Sequence, residues 1–211
     1  MQQPVKTIQS RYNYSEVWQW LQQKGNELYG KKFQLHEDDK ATIYILLCWF
    51  LQDDIAAPRL DLDLQKGILL SGPVGCGKTT LMNLMKYITT EKYRFVMKSC
   101  RDISFEFIED GFSVIHRYTR GALYQYQPKN FCFDDLGTES SLKYYGNECN
   151  VMAEILLTRY DLFMAQNLIT HLTTNLSASE IEEYYGNRIR SRMREMFNLI
   201  AFDSNSADKR Q

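Results

Sequence analysis

Paired cysteines, an excess of either charge and long apolar runs are all missing from this 211-residue chain. The five cysteines, Cys48, Cys76, Cys100, Cys132 and Cys149, are odd in number and contain no C-x-x-C pair. A disulfide framework or a cysteine zinc site is therefore not expected, and reduced thiols in a cytosolic compartment are. Charge nearly cancels, with 25 Lys and Arg against 26 Asp and Glu for a net of −1. That balance excludes a wholly basic nucleic-acid protein but leaves a local basic patch open. The longest apolar run, Ile43 to Leu51, is about half the roughly 20 residues that a membrane-spanning helix needs. The first ten residues, MQQPVKTIQS, lack the apolar stretch of a secretory signal. The three histidines, His36, His116 and His171, are too dispersed for a metal site and are expected to be structural.

What is present suits a folded chain. Hydrophobic residues make up 44% and aromatics 13%, enough for a buried core. The length suggests one compact core with a modest appendage. Residues 1–63 read as a helical N-terminal segment: Val17 and Leu21 stand at i,i+4 near Trp18 and Trp20, and Asp38 or Asp39 would cap a second helix running to Leu51. The acid-rich stretch from Asp53 to Gln65, with Pro58, reads as a connector. Residues 64–203 then alternate short apolar runs with helical periods. The runs are Gly67–Ser71, Phe95–Lys98, Phe131–Phe133, Leu168–Thr173 and Leu199–Phe202. Strands separated by helices imply a parallel sheet covered on both faces, with its binding crevice at the carboxyl ends of the strands. Residues 204–211 read as a flexible tail.

Gly72-Pro73-Val74-Gly75-Cys76-Gly77-Lys78-Thr79 is a full G-x-x-x-x-G-K-[ST] phosphate-binding loop between a strand and an amphipathic helix. Its glycines permit backbone turns that converge successive N–H groups on an anion, and the helix N-terminus adds partial positive charge. Residues 72–80, Thr80 included, are the expected nucleotide contacts. Lys78 would reach the β- and γ-phosphates of ATP, and the Thr79 hydroxyl would ligate Mg²⁺.

Phe131-Cys132-Phe133-Asp134-Asp135 is an apolar strand ending in two carboxylates, which repel and must stay solvated or bind a cation. Asp134 is the expected Mg²⁺ partner, and Asp135 the base that polarises an attacking water. A third strand ends in Thr173-Thr174-Asn175. A neutral polar group there would either orient water beside the γ-phosphate or cap the next helix, where Ser177 and Ser179 compete. Arg188, Arg190, Arg192 and Arg194 alternate on a late helix. They form either a solvated face neutralised by Glu182, Glu183 and Glu195, or an arginine finger offered to a neighbouring subunit.

The sequence GPVGCGKT, FCFDDLG, LTTNLS and GNRIRSRM in that order resembles the AAA+ ATPases, and within them the branch of DnaC-like helicase loaders and IstB-like transposition helpers. The resemblance covers about Gly67 to Phe202. It implies a P-loop NTPase αβα sandwich, with Lys78 and Thr79 as phosphate and Mg²⁺ contacts, Asp134 as Mg²⁺ carboxylate and Asp135 as catalytic acid position. It also implies Asn175 as the first sensor, and Arg192 as the finger with Arg188 as companion. Only nine residues follow Phe202, so the C-terminal helical lid of the larger family members is not expected, and Arg210 is the remaining candidate for a second sensor. The implied partners are a replicative helicase or a transposase, single-stranded DNA, and further copies of the chain in an ATP-dependent oligomer.

Three functions follow from these residues. The first is an ATP-hydrolysing loader or remodeller. The second is a nucleotide-gated adaptor with little turnover, kept open by Asp135 in the place of a longer Glu. The third is a small-molecule kinase, disfavoured because Arg94, Arg101, Arg117 and Arg120 do not form a lid-like cluster. For DNA, residues 178–211 carry six basic and six acidic residues and so no net basic region. Tyr118, Arg120, Tyr124, Tyr126 and Lys129 form an aromatic-basic stretch that suits either base stacking or an ordinary strand.

Overall fold

All five apolar runs become strands, because short β-branched and aromatic segments between turn signals can be buried on both faces only inside a sheet. The computed structural model describes residues 10–121, 123–124, 127–139, 142–144, 147–203 and 206–209. Strands β1 (Gly67–Ser71), β2 (Phe95–Ser99), β5 (Asn130–Leu136), β8 (Thr170–Thr174) and β9 (Phe197–Ala201) form one parallel sheet in the order β2-β5-β8-β1-β9. Two short antiparallel hairpins, β3 (Leu123–Tyr124) with β4 (Gln127–Pro128) and β6 (Leu142–Tyr144) with β7 (Asn147–Cys149), flank β5 in the chain and were not expected.

Side-chain alternation assigns the helices to the two faces. Ile68, Leu70 and Cys132 point to one core, shared with α1 (Tyr14–Tyr29), α2 (Lys40–Phe50) and α3 (Lys78–Met85). Leu69, Phe131, Phe133 and Leu172 point to the other, against α4 (Cys100–Asp110), α5 (Ser113–Arg117), α6 (Val151–Gln166) and α7 (Ala178–Met196). The architecture is the expected three-layer P-loop NTPase sandwich.

The N-terminal helices are the first layer of this sandwich, since Leu21, Ile43, Trp49 and Phe50 are fully buried in the same core as β1. The stretch read as a connector holds a buried hub. Asp53 accepts hydrogen bonds from the Ser10 and Tyr14 hydroxyls and from the backbone of Arg11, Ile55 and Ala56. Burial pushes its carboxyl up, but these donors outweigh it and hold the group below its usual range. Asp39 takes the N-cap position of α2 without a side-chain cap bond. Its carboxylate is committed instead to Lys209 at the other end of the chain.

Two buried polar side chains brace the sheet. Arg159 donates to Thr170 Oγ1 and to the carbonyls of Tyr118, Lys129 and Ile169, and lies over the rings of Phe131 and Phe133. Its burial pulls the guanidinium down to about 9. His171, structural as expected, accepts the Ile68 N–H at Nδ1 (3.1 Å) and sits among Trp49, Phe50 and Phe95, with no partner for Nε2. Burial, helped by the nearby Arg159 charge, lowers it to about 3.

His171 thus stays neutral in the fold, whereas the unfolded chain takes up a proton below about 6.5. Its contribution to stability is complete above that pH and is lost as pH falls toward 3, at up to about 1.4 kcal/mol per unit. Urea unfolding at pH 7.5 and pH 5 is expected to show a loss of about 2 kcal/mol from this residue. In His171→Asn, which keeps an acceptor for Ile68, that part of the slope disappears; an unchanged slope would place the acid sensitivity elsewhere.

Candidate functional site

The carboxyl ends of β1, β5 and β8 meet where the phosphate loop turns into α3. Gly75 (φ +83°) and Gly77 (φ +97°) adopt left-handed backbone that a side chain would strain. The loop can therefore wind tightly before the helix begins at Lys78. The Lys78 side chain is nearly buried and folds back, its Nζ donating to the carbonyls of Gly72 (2.8 Å) and Pro73 (2.9 Å). A triphosphate in the loop would compete for the same ammonium. Cys76 is buried behind the loop, while Val74 projects outward.

The Thr79 hydroxyl lies 3.0 and 2.9 Å from the two oxygens of Asp134. Because β8 runs between β1 and β5, its end also enters the site. Thr173 Oγ1 donates to Asp134 Oδ1 at 2.6 Å and accepts the Asp135 N–H at 2.9 Å. Burial raises the Asp134 carboxyl above its usual range, opposed by the two threonine donors and by Lys78 and aggravated by Asp135. A desolvated carboxylate beside a hydroxyl is a set of hard oxygen donors. Together with phosphate oxygens and water it suits Mg²⁺, which rarely takes more than one or two carboxylates. Among the described residues no cluster of three or more metal-ligating side chains occurs.

The acidic strand is not regular to its end. Its register with β8 shifts between Phe133 and Leu136, and Asp135 takes a left-handed φ of +55°. Such a bulge re-aims one side chain of a pair that a flat strand would send to opposite faces. Thr138 holds the turn by donating its N–H and hydroxyl to the Asp135 carbonyl. Glu139, which the sequence reading passed over, accepts the Gly137 N–H and bonds the hydroxyl of Tyr185 on α7. Nothing in its spacing marked it out.

The other expected residues separate. Asn175 follows β8 and is exposed. It does not cap α7, because Ser177 forms a capping box with Glu180. The hydroxyls that brace the strand end are Thr173 and Thr174, the latter donating to the Leu136 carbonyl. Helix α7 breaks at Gly186 (φ 82°, ψ 158°), and Arg188 and Arg192 lie beyond the break. The helix leaves β8 at the loop end of the sheet and returns to the start of β9, which pairs Phe197 with Gly67 at the opposite edge. Arg192 is thereby carried away from the phosphate loop of its own chain. It stacks over Tyr160 (4.7 Å) beside a surface cleft of about 520 Å³ that Arg188 and Glu195 also line. Arg190 pairs with Glu182, so part of the cluster is neutralised as a solvated face would be.

Of the aromatic-basic stretch, Tyr118 is buried and donates to Glu106, which removes it from base stacking. Tyr126 and the side chain of Tyr124 lie outside the described residues, as does Arg210. Ser206–Lys209 do not hang free as a tail: the Lys209 N–H donates to the Gly75 carbonyl (3.0 Å), and its Nζ to the Cys76 carbonyl (2.7 Å). With Phe33–His36, Asp39, Gly77, Thr80 and Leu81 they enclose a cavity of about 830 Å³ beside the loop.

No protein-family model matches the chain, and no curated protein matches it in sequence. Solved structures do match in fold. A protein described as a candidate primosome component from Streptococcus pyogenes serotype M3 aligns at TM-score 0.56 and 18% identity over 82% of this chain and 83% of that one. The DnaC helicase loader aligns at 0.52 and 17%, over 81% and 93%. The replication initiator DnaA bound to AMPPCP and single-stranded DNA aligns at 0.53 and 15%, over 82% of this chain and 49% of that one. The chain therefore shares the fold of these P-loop proteins. Its own residues predict how the strand end works. Thr173→Val removes one donor from Asp134 and strands the Asp135 N–H, so the Mg²⁺ concentration needed for tight ATP binding should rise about 10- to 100-fold. Binding of ATP without Mg²⁺ should hold. Superimposable Mg²⁺ titrations would make Thr173 a mere packing residue.

Proposed function

We propose that this chain is a Mg²⁺-dependent ATPase of AAA+ type that works as an oligomer in DNA replication. The observation that carries the reading is the contact of Thr79 with Asp134 across the phosphate loop, with Thr173 holding the carboxylate from behind. In this reading Lys78 exchanges the Gly72 and Pro73 carbonyls for β- and γ-phosphate oxygens. Thr79 and Asp134 hold Mg²⁺, which supplies charge neutralisation on the phosphates. Asp135, aimed by the bulge, accepts a proton from the attacking water; that water's oxygen bonds to the γ-phosphorus as the bond to the β–γ bridging oxygen breaks. Asn175, exposed just past the end of β8, is assigned as the polar group that orients the water.

Arg192, with Arg188 one turn earlier, is assigned to the active site of a neighbouring copy, because the path of α7 removes it from its own. The fold shared with a helicase loader, and with an initiator that binds single-stranded DNA, supports a replicative helicase and single-stranded DNA as partners. Among the described residues no helix is long and apolar enough to cross a membrane.

Steady-state ATP hydrolysis measured against protein concentration, with and without single-stranded DNA, tests this. The specific rate should climb with concentration and respond to DNA, and Lys78→Ala should be inactive. Arg192→Ala should assemble yet lose roughly 10³-fold in rate. An Arg192→Ala protein that assembles and hydrolyses like wild type would remove the shared site. A flat rate near the Lys78→Ala level despite tight ATP binding would instead favour a nucleotide-gated adaptor, for which Asp135 is the residue to blame.

A further inference from the structure

The start of α2 and the segment Ser206–Lys209 meet beside the phosphate loop, where no motif announced a meeting. Asp39, at the start of α2, is 5% exposed, and its carboxylate is paired with Lys209 Nζ. The same ammonium donates to the Cys76 carbonyl at 2.7 Å and lies 5.0 Å from the Phe202 ring, while the Lys209 N–H donates to the Gly75 carbonyl at 3.0 Å. Next to Gly75, the Asp208 carboxylate fills the space that a Cβ there would need. These contacts tie Ala207–Lys209 to the loop through the carbonyls of Gly75 and Cys76.

The strap also walls the cavity of about 830 Å³, whose other sides are Phe33–His36, Asp39 and Ile43 from the N-terminal layer and Gly77, Thr80 and Leu81 from the loop and α3. A cavity of that volume is in the range that holds a nucleotide-sized ligand. It borders the loop and the first turn of α3 at Cys76, Gly77, Thr80 and Leu81, so a ligand whose phosphates lie in the loop would extend its nucleoside into it.

We propose that Ala207–Lys209 form a latch over the nucleoside cavity, closed by the Lys209–Asp39 ion pair, whose opening sets the rate at which nucleotide leaves. The proposal rests on the nucleotide-binding reading given above. An ion pair so shielded is expensive to break, because opening leaves the Asp39 carboxylate buried and unpaired until water reaches it. Lys209 has three donor hydrogens, of which Asp39 and the Cys76 carbonyl take two, so the pair ties three segments together: the N-terminal layer, the loop and the chain end. Opening of the latch acts as lid opening does in enzymes whose turnover that step limits.

The test is the release of radiolabelled ATP–Mg²⁺ from the full-length protein, chased with excess unlabelled ATP. A parallel titration uses tripolyphosphate, which fills the loop but has no nucleoside. Lys209→Ala is expected to release ATP at least about tenfold faster, which corresponds to about 1.4 kcal/mol, with tripolyphosphate affinity unchanged. Lys209→Arg should restore slow release, because a guanidinium reaches both a carboxylate and a carbonyl. The exchanged pair Asp39→Lys with Lys209→Asp should recover part of what Asp39→Lys alone loses. Release from Lys209→Ala within twofold of wild type would overturn the latch while leaving nucleotide binding intact. Equal weakening of ATP and tripolyphosphate would also overturn it, making Lys209 a prop for the loop. A wild-type protein that binds tripolyphosphate but not ATP, or neither, would sink the nucleotide reading itself, and the latch with it.

Discussion

One carboxylate sets the terms for this molecule. Asp134 is drawn out of water at the end of a buried strand, where a bare negative charge is costly, and three side chains converge to make it tolerable. The Thr79 hydroxyl and the Lys78 charge come from the first turn of α3, where the loop ends, and the Thr173 hydroxyl from β8. Those contacts require β8 to run between β1 and β5, so the strand order of the sheet and the chemistry of the site are a single constraint. What the threonines leave uncompensated is part of the cost of burying that charge, which a hard cation would offset. The site is built around a deficit that a metal and a triphosphate together would fill.

The layer beneath the sheet is equally committed. Residues 14–63 are not an appendage: Trp49 and Phe50 lie against His171 in the middle of β8, and the Trp49 ring nitrogen donates to the Lys66 carbonyl just before β1. Asp53 then closes the N-terminal layer through five hydrogen bonds. Because this layer also supplies Phe33–His36 and Asp39 to the cavity by the loop, a change in how α1 and α2 sit would be felt at that cavity without passing through the sheet. Exposed Trp20, Leu28 and Tyr29 lie on or at the end of α1, on the outside of that layer.

On the opposite face, the acidic strand end and the arginines of α7 are set apart. The bulge that turns Asp135 also sets Gly137 and Glu139, and Glu139 bonds Tyr185 one residue before the break in α7. Beyond the break lie Arg188 and Arg192, directed to the edge of the sheet remote from the loop. A physical connection thus runs from the acidic strand end to the helix that carries the arginines, while the arginines themselves face outward. A cation placed there suits a ligand on another molecule better than one in its own loop.

Local chemistry made much of this legible in advance. The spelling of residues 72–79 dictates a strand, a tight anion-binding turn and a helix, and five apolar runs between helical periods dictate a covered parallel sheet, because nothing else satisfies a strand that is apolar on both faces. Both readings depend only on near neighbours in sequence. What sequence could not decide is which strands lie side by side and which distant groups share a buried charge. Thr173 acquires its role because β8 inserts between two strands over thirty residues away in sequence. Asp135 is re-aimed by a bulge that no residue type demands. Asp39 gives up the cap expected of it because Lys209, 170 residues on, offers an ammonium shielded from water. Asp53 opens the stretch that reads as a connector, yet it is buried because Ser10, Arg11 and Tyr14 arrive to satisfy it. In each case the deciding term is desolvation of a polar group. That energy depends on everything packed around the group and is set only when the whole chain has closed.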